Sequence, residues 1–196
     1  MVVTAGPWTP ALIDRSGGWR PIRSVWGVVA DMRLTSPPSH VLEEVAIEIE
    51  PSADAPRTAA EIGFSLVTAG GASSLGSTFL SSEPDSDAFV DSLRDRGARF
   101  VPEIADVAVR GLRACARPST LDGRPLVRAV PGLAGAFVAA DNGPWGISTG
   151  PATARMIADL VLGRRPDIPA ELDPLRFGPV PIRPASVRGQ NAPEAG

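Results

Sequence analysis

The chain has 196 residues, 43% hydrophobic and 21% charged, with a formal net charge of −3; that is enough apolar material for one or two compact domains. No run approaches the ~18 apolar residues of a membrane span, and the slightly acidic balance lacks the basic stripe of a nucleic-acid surface, so neither a membrane nor a nucleic acid is an expected partner. One cysteine, Cys115, rules out an internal disulfide, and one histidine, His40, rules out metal sites built on several His ligands, so no metal is expected. All 19 basic residues are arginine, so every side-chain cation is a planar, permanently charged guanidinium and no lysine serves as a Schiff base.

The first residues carry no basic segment followed by an apolar stretch, so they do not form a signal peptide, and the expected location is the cytoplasm. Val2-Val3 reads as the end of a strand that enters a sheet whose other strands come from elsewhere. Thr9-Pro10 reads as an N-cap with proline in the first turn, and Gly17-Gly18 closes the short helix. Residues 22–34, rich in Val, Ile and Trp, predict a strand. Pro37-Pro38 breaks it and leaves His40 in a surface loop. Residues 41–49, with period-two alternation of Val45, Ile47 and Ile49 in the second half, predict a half-buried strand, followed by a polar loop over 51–58. Residues 61–68 and 74–80 flank Ala69-Gly70-Gly71-Ala72, which predicts a hairpin, because glycine tolerates the positive φ of a tight turn. Residues 85–99 predict a helix capped by Asp85 or Ser86 and closed by Gly97. Residues 136–140 predict a short strand buried on both faces. Residues 151–162 predict a helix with a Met156, Ile157, Leu160, Val161 stripe, ended by Gly163. From Gly178 the tail lacks periodicity and is expected to be mobile.

Residues 139–153 carry the most chemistry. A buried strand runs through Asp141-Asn142-Gly143-Pro144-Trp145-Gly146-Ile147-Ser148-Thr149-Gly150 into a helix. Glycines let the backbone approach a ligand, and the helix start presents free N–H groups with partial positive charge. The plainer alternative is a glycine-rich loop that closes on packing alone.

Three stretches resemble the C-terminal signature of the D-amino acid oxidase superfamily of FAD-dependent amine oxidoreductases, which includes glycine and sarcosine oxidases. They are Arg117-Pro118-Ser119-Thr120-Leu121-Asp122-Gly123-Arg124-Pro125-Leu126-Val127, Pro131-Gly132-Leu133, and Gly143 to Thr153. Val2-Val3-Thr4-Ala5-Gly6-Pro7-Trp8 resembles the strand by which that family re-enters its flavin domain, and the strand-rich middle is similar to its substrate domain. The resemblance implies an α+β fold: an antiparallel substrate-domain sheet plus the C-terminal strand–helix elements of an FAD-binding Rossmann-like domain, lacking the N-terminal βαβ. The implied units are residues 1–19 (part of the FAD-binding domain), 20–108 (substrate domain), 109–177 (C-terminal part of the FAD-binding domain) and 178–196 (mobile tail).

The GxGxxG fingerprint is absent from this sequence; Gly70-Gly71-Ala72-Ser73-Ser74-Leu75-Gly76 has the wrong spacing and lies in a hairpin. The chain therefore reads as the C-terminal half of such an enzyme, expected on its own to bind FAD weakly or not at all. A rival reading makes it a non-catalytic or complementing subunit whose partner chain carries the fingerprint.

The resemblance implies that Arg117 binds the carboxylate of a small amine or amino-acid substrate, with Arg113 as the back-up. The alternative for Arg117 is a solvated arginine or one salt-bridged to a carboxylate such as Asp122. Asn142, Gly143, Pro144, Trp145, Gly146, Ile147 and Ser148 would face the flavin, and Ala5 and Gly6 would pass close to it. Hydride would leave the C–N carbon for FAD, with dioxygen as a possible electron acceptor. Cys115 matches the place where sarcosine oxidase-type members bond FAD covalently, against the plainer reading of a small buried hydrophobe. Arg128 and Asp141 stand where the family tends to have glycine, and Pro144 where glycine oxidase-like members have a second arginine. A Cβ there can clash with the ring, and an acid opposes negative charge on it.

Overall fold

The structure, a computed structural model, describes residues 1–44, 62–164 and 167–180. In chain order the elements are β1 (Val2–Val3), α1 (Thr9–Ile13), β2 (Ile22–Met32), β3 (Leu42–Glu43), β4 (Ile62–Ala69) and β5 (Ala72–Thr78), then α2 (Val90–Ala98), β6 (Val109–Thr120), β7 (Leu126–Ala129), β8 (Phe137–Ala140) and α3 (Gly146–Val161). The fold is α+β, as expected. One sheet is antiparallel with strand order β3-β4-β5-β2-β6; the other is three-stranded, β1-β8-β7, with β1 parallel to β8 and β7 antiparallel to it.

The antiparallel sheet hides one face. Val28, Ala30 and Met32 alternate along β2 and pack with Leu66, Leu75, Leu93 of α2 and Ile104, as period-two side chains require. Gly70 and Gly71, both at positive φ, make the two-residue turn of the β4–β5 hairpin, the conformation that matches strand twist. The opposite face carries Asp31, Ser74, Arg113, Cys115 and Arg117, in register across β2, β5 and β6.

The small sheet is buried on both sides, as its apolar β8 predicts. Leu126, Val138 and Ala140 face Val3, Ile13 and Trp19. Val127 faces Ile157 of α3 and Ile168, with Phe137 and Ala139 packed alongside.

Several expectations are corrected. β1 finds its partner within this chain, pairing Val2 with Phe137 and Val3 with Val138. Thr9 does not cap α1: it lies inside the helix, fully buried, with Oγ1 unpartnered. Asp14 instead organises the next turn, accepting from the Ser16 hydroxyl and from the Ser16 and Trp19 N–H groups. The Asp85 cap holds, its side chain accepting from the Asp87 N–H. Gly97, however, sits within α2, where a Cβ would stand 3.0 Å from Leu75 Cδ1 and 3.1 Å from Ile104 Cδ1; its role is close packing against the sheet, not termination.

The twelve-residue β6 went unread and pairs along the whole of β2, so residues 109–120 hydrogen-bond into the antiparallel sheet. Helix α3 starts at Gly146, five residues early, and carries Pro151 inside it. Of the expected tail, Val180 packs against the core beside Phe177. Of the strand expected over 41–49, Leu42–Glu43 forms β3, while residues 45–49, the loop over 51–58 and residues 181–196 lie outside the described residues.

Candidate flavin-facing site and arginine clamp

The turn after β8 is built by side chains that bond to backbone. Asp141 adopts φ +63°, the left-handed conformation otherwise favoured by glycine, and is buried. Its Oδ1 accepts from the Gly143 N–H at 3.1 Å and its Oδ2 from the Thr120 N–H at the end of β6. Asn142 Oδ1 accepts from the Thr153 hydroxyl at 2.8 Å and the Thr149 hydroxyl at 3.1 Å, which fixes the turn to α3. A 3-10 turn, Gly143–Trp145, then leads into α3. The helix starts with its first-turn N–H groups free of intrahelical acceptors.

These pieces line a cavity of about 450 Å³, within the roughly 300–1,000 Å³ of small-molecule sites. Gly6, Asn142, Gly143 and Gly146, all expected here, line it. Asp141, expected beside the ring as a departure from glycine, lines it too; among the wall residues not expected are Thr4, Pro118, Ala140, Gly150 and Thr153. Their signal was weak: Pro118 lies on the unread β6, and Gly150 and Thr153 one and two helical turns into α3. Four expected residues are not on the wall: Ala5 packs against the core, while Trp145, Ile147 and Ser148 are exposed. Pro144 lies within the 3-10 turn.

Arg117 sits on β6 next to the wall residue Pro118, with its guanidinium on the sheet's open face. It crosses β2 where Gly27 has no side chain; a Cβ there would lie 2.2 Å from Nη2. Nη1 donates to the Thr78 carbonyl at 3.1 Å, Nη2 donates to Ser77 Oγ, and Cζ lies 5.2 Å from the centre of the Phe79 ring, a cation–π contact. Burial draws its pKa down, with Cys115 acting the other way, but a guanidinium stays charged.

Among the described residues, Arg117 has no carboxylate partner. Asp122 is taken instead by Arg176, with Nε to Oδ2 at 2.7 Å and Nη2 to Oδ1 at 2.9 Å. That pairing holds the Asp122 carboxyl down at about 2, chiefly through the Arg176 hydrogen bond. Arg113 is exposed and bonded to Asp31 at 3.2 Å and to Ser74 at 3.1 Å, so the back-up candidate already has its anion. Cys115 is exposed, which corrects the reading of a small buried hydrophobe. The two departures from glycine are absorbed: the Asp141 carboxylate is spent on two backbone N–H groups, and Arg128 pairs with Asp173 at 3.3 Å.

A small-residue turn at a helix start is thus joined by one strand to a half-buried cation that has no anion among the described residues. The family model described as FAD dependent oxidoreductase matches residues 1–160, and the chain belongs to that family. It is 35% identical over 89 residues to glycine oxidase of Pseudomonas aeruginosa, a match covering 45% of this chain and 23% of that protein. Among solved structures it is similar to glycine oxidase from Geobacillus kaustophilus, with a TM-score of 0.72 and 25% identity over 88% of this chain and 44% of that one. It shares its fold with iminodiacetate oxidase from Chelativorans sp. BNC1, with a TM-score of 0.65 and 23% identity over 91% of this chain and 45% of that one. The chain thus spans less than half of these relatives.

The family implies FAD, and the residues present fit the ring end of it. At Gly6, Gly143 and Gly150 an added Cβ would meet nothing within 4 Å; it would project into open space along the cavity. Gly6 and Gly143, at φ +55° and +54°, are also positions that most L-residues adopt only with strain.

Proposed function

We propose that this chain supplies the ring-facing turn and the substrate clamp of an FAD-dependent amine or amino-acid oxidoreductase. Arg117 carries the reading: it is held by Ser77, Thr78 and Phe79, is half-buried, and has no carboxylate partner among the described residues. A guanidinium in that state favours a carboxylate, which it grips as a fork and so fixes the neighbouring amine carbon. Glycine and iminodiacetate, for which relatives are named, each place a carboxylate one carbon from the amine.

Gly6, Asn142, Gly143 and Gly146 would lie against the flavin, with the N–H groups at the start of α3 favouring negative charge there. When bound, the flavin supplies a two-electron acceptor for hydride leaving the C–N carbon, so that amine becomes imine and dioxygen takes the electrons as hydrogen peroxide. The chain's own part is to bind the acid, orient the C–H bond and keep the turn rigid. Residues outside this sequence, in the same polypeptide or in a partner chain, would hold the adenosine and pyrophosphate. A cytoplasmic setting belongs to the same reading, and the unpaired Cys115 suits a reducing compartment.

The test is anaerobic titration of the flavin-loaded protein with small amino acids and secondary amines. Bleaching of the flavin band, lost in Arg117→Met, is expected. A loaded protein that bleaches with none of them would overturn the reading.

A further inference from the structure

Beside Arg117 lies a second, smaller cavity of about 120 Å³, lined by Glu43, Glu44, Gly63, Phe64, Ser65, Ser77 and Phe79. Two of these residues hold Arg117: Ser77 accepts its Nη2 hydrogen bond and Phe79 lies under its guanidinium. Across β3, β4 and β5, Glu43 pairs with the small lining residue Ser65, and Ser65 with Gly76 next to Ser77. Glu43, Ser65 and Gly76 therefore lie on the open face that carries Arg117.

The two acids differ. Glu44 is neutralised, with Arg96 Nε donating to Oε2 at 2.9 Å, Arg96 Nη2 to Oε1, and the Phe64 N–H also donating to Oε2. Glu43 has neither an ion pair nor a hydrogen bond among the described residues. So the cavity is lined by a carboxylate with no partner among the described residues, Glu43, and by Ser77 and Phe79, the two residues that hold the Arg117 cation. The strand under the guanidinium, β5, and the strand that carries Glu43, β3, are two spacings apart, roughly 10 Å, part of which the Glu43 side chain spans.

We infer that this cavity is the substrate side-chain pocket, and that it selects an α-amino acid with a basic side chain of about the length of lysine. The α-carboxylate sits on Arg117, the methylenes lie over Ser65 and Gly76 beside the Phe79 ring, and the terminal ammonium reaches Glu43. The inference rests on Arg117 being the carboxylate clamp. Phe79 supplies apolar area to the methylenes, and Glu43 supplies the charge that separates a basic side chain from an isosteric neutral one.

Calorimetric titration of the chain with lysine and norleucine, each as both enantiomers, tests it. Lysine is expected to bind about fivefold more tightly than norleucine, the upper range for a solvent-accessible pair. That preference should vanish in Glu43→Gln and return in part in Glu43→Asp, while Arg117→Met weakens both ligands. Equal binding of the two ligands, no binding of either, or a preference that survives Glu43→Gln overturns the inference. If Arg117→Met still weakens both ligands in that case, the clamp reading stands alone. If Arg117→Met leaves lysine and norleucine unchanged, the clamp itself fails and takes the pocket with it.

Discussion

Arg117 reaches Ser77 and Thr78 only because residue 27 has no side chain. A single methyl group at Gly27 would occupy the space of the guanidinium, 2.2 Å from Nη2 and 2.3 Å from Nη1. Gly27→Ala is therefore expected to expel the arginine and lose its two charge-assisted bonds, at a cost of about 1–3 kcal/mol, read from urea midpoints. In an Arg117→Ala background the same change should be nearly neutral; an equal loss in both backgrounds would show that Gly27 serves the backbone instead. Asp141 makes a second case. It pays for a left-handed backbone with two hydrogen bonds to otherwise orphaned N–H groups. Asp141→Val combines β-branched strain with a buried unsatisfied donor and should destabilise by about 3 kcal/mol. Asp141→Asn, which tolerates the conformation and keeps an acceptor, should lose less than half of that. Comparable losses in the two variants would contradict the account. The sequence made Asp141 look like a departure that spoils the site; only the fold shows where its carboxylate goes.

Among the elements, those with strong local signals were legible. The β4–β5 hairpin declared itself through Gly70-Gly71, β2 through its Val-rich run, and the 3-10 turn Ser86–Phe89 that leads into α2 through the Asp85 cap. β6 was not legible, because Leu112, Ala114 and Ala116 alternate with Arg113, Cys115 and Arg117 on a strand whose outer face is charged, and two alanines give a faint apolar period. The start of α3 was misplaced because Pro151 was taken as a first-turn proline, whereas it sits at the sixth helical residue and forfeits one hydrogen bond. Gly97 was misread as a stop for want of any local sign of Leu75 and Ile104 above it. Gly97→Val should lift α2 from the sheet and cost about 2–3 kcal/mol; an unchanged melting temperature would refute tight packing there. The Asp122–Arg176 pair joins the β6–β7 turn to the segment before Gly178, through Arg176 bonds to the Arg124 and Pro125 carbonyls as well. Because the folded-state pKa of Asp122 is lowered from 3.8 to about 2, its stabilisation is present above about 4 and is lost as pH falls through 2. Asp122→Asn should flatten the melting temperature over that window relative to the native chain, and an identical acid limb in both proteins would contradict the pairing.

For the whole molecule, β6 is the link that matters. Its last residues carry Arg117 in the antiparallel sheet, Pro118 on the cavity wall and Thr120 bonded to Asp141 at the base of the turn. One strand thereby couples the face that carries Arg117 to the cavity beside the Gly-rich turn. The family resemblance brought both ends of the site to notice from sequence, since the Arg-Pro and Gly-rich motifs survive as contiguous runs. The side-chain pocket did not show, because its walls come from β3, β4 and β5, and no spacing in the sequence relates Glu43 to Ser77.

The most direct test of the central claim compares riboflavin with FAD, each titrated by fluorescence against the native chain and against Gly143→Val. If the cavity lined by Gly6, Asn142, Gly143 and Gly146 receives the flavin ring and no residue here grips the adenosine, the two ligands should bind weakly and within about threefold of each other, and Gly143→Val should abolish both. Failure of either ligand to bind the native chain, FAD retained at unit stoichiometry through desalting, or undiminished binding to Gly143→Val would contradict the account.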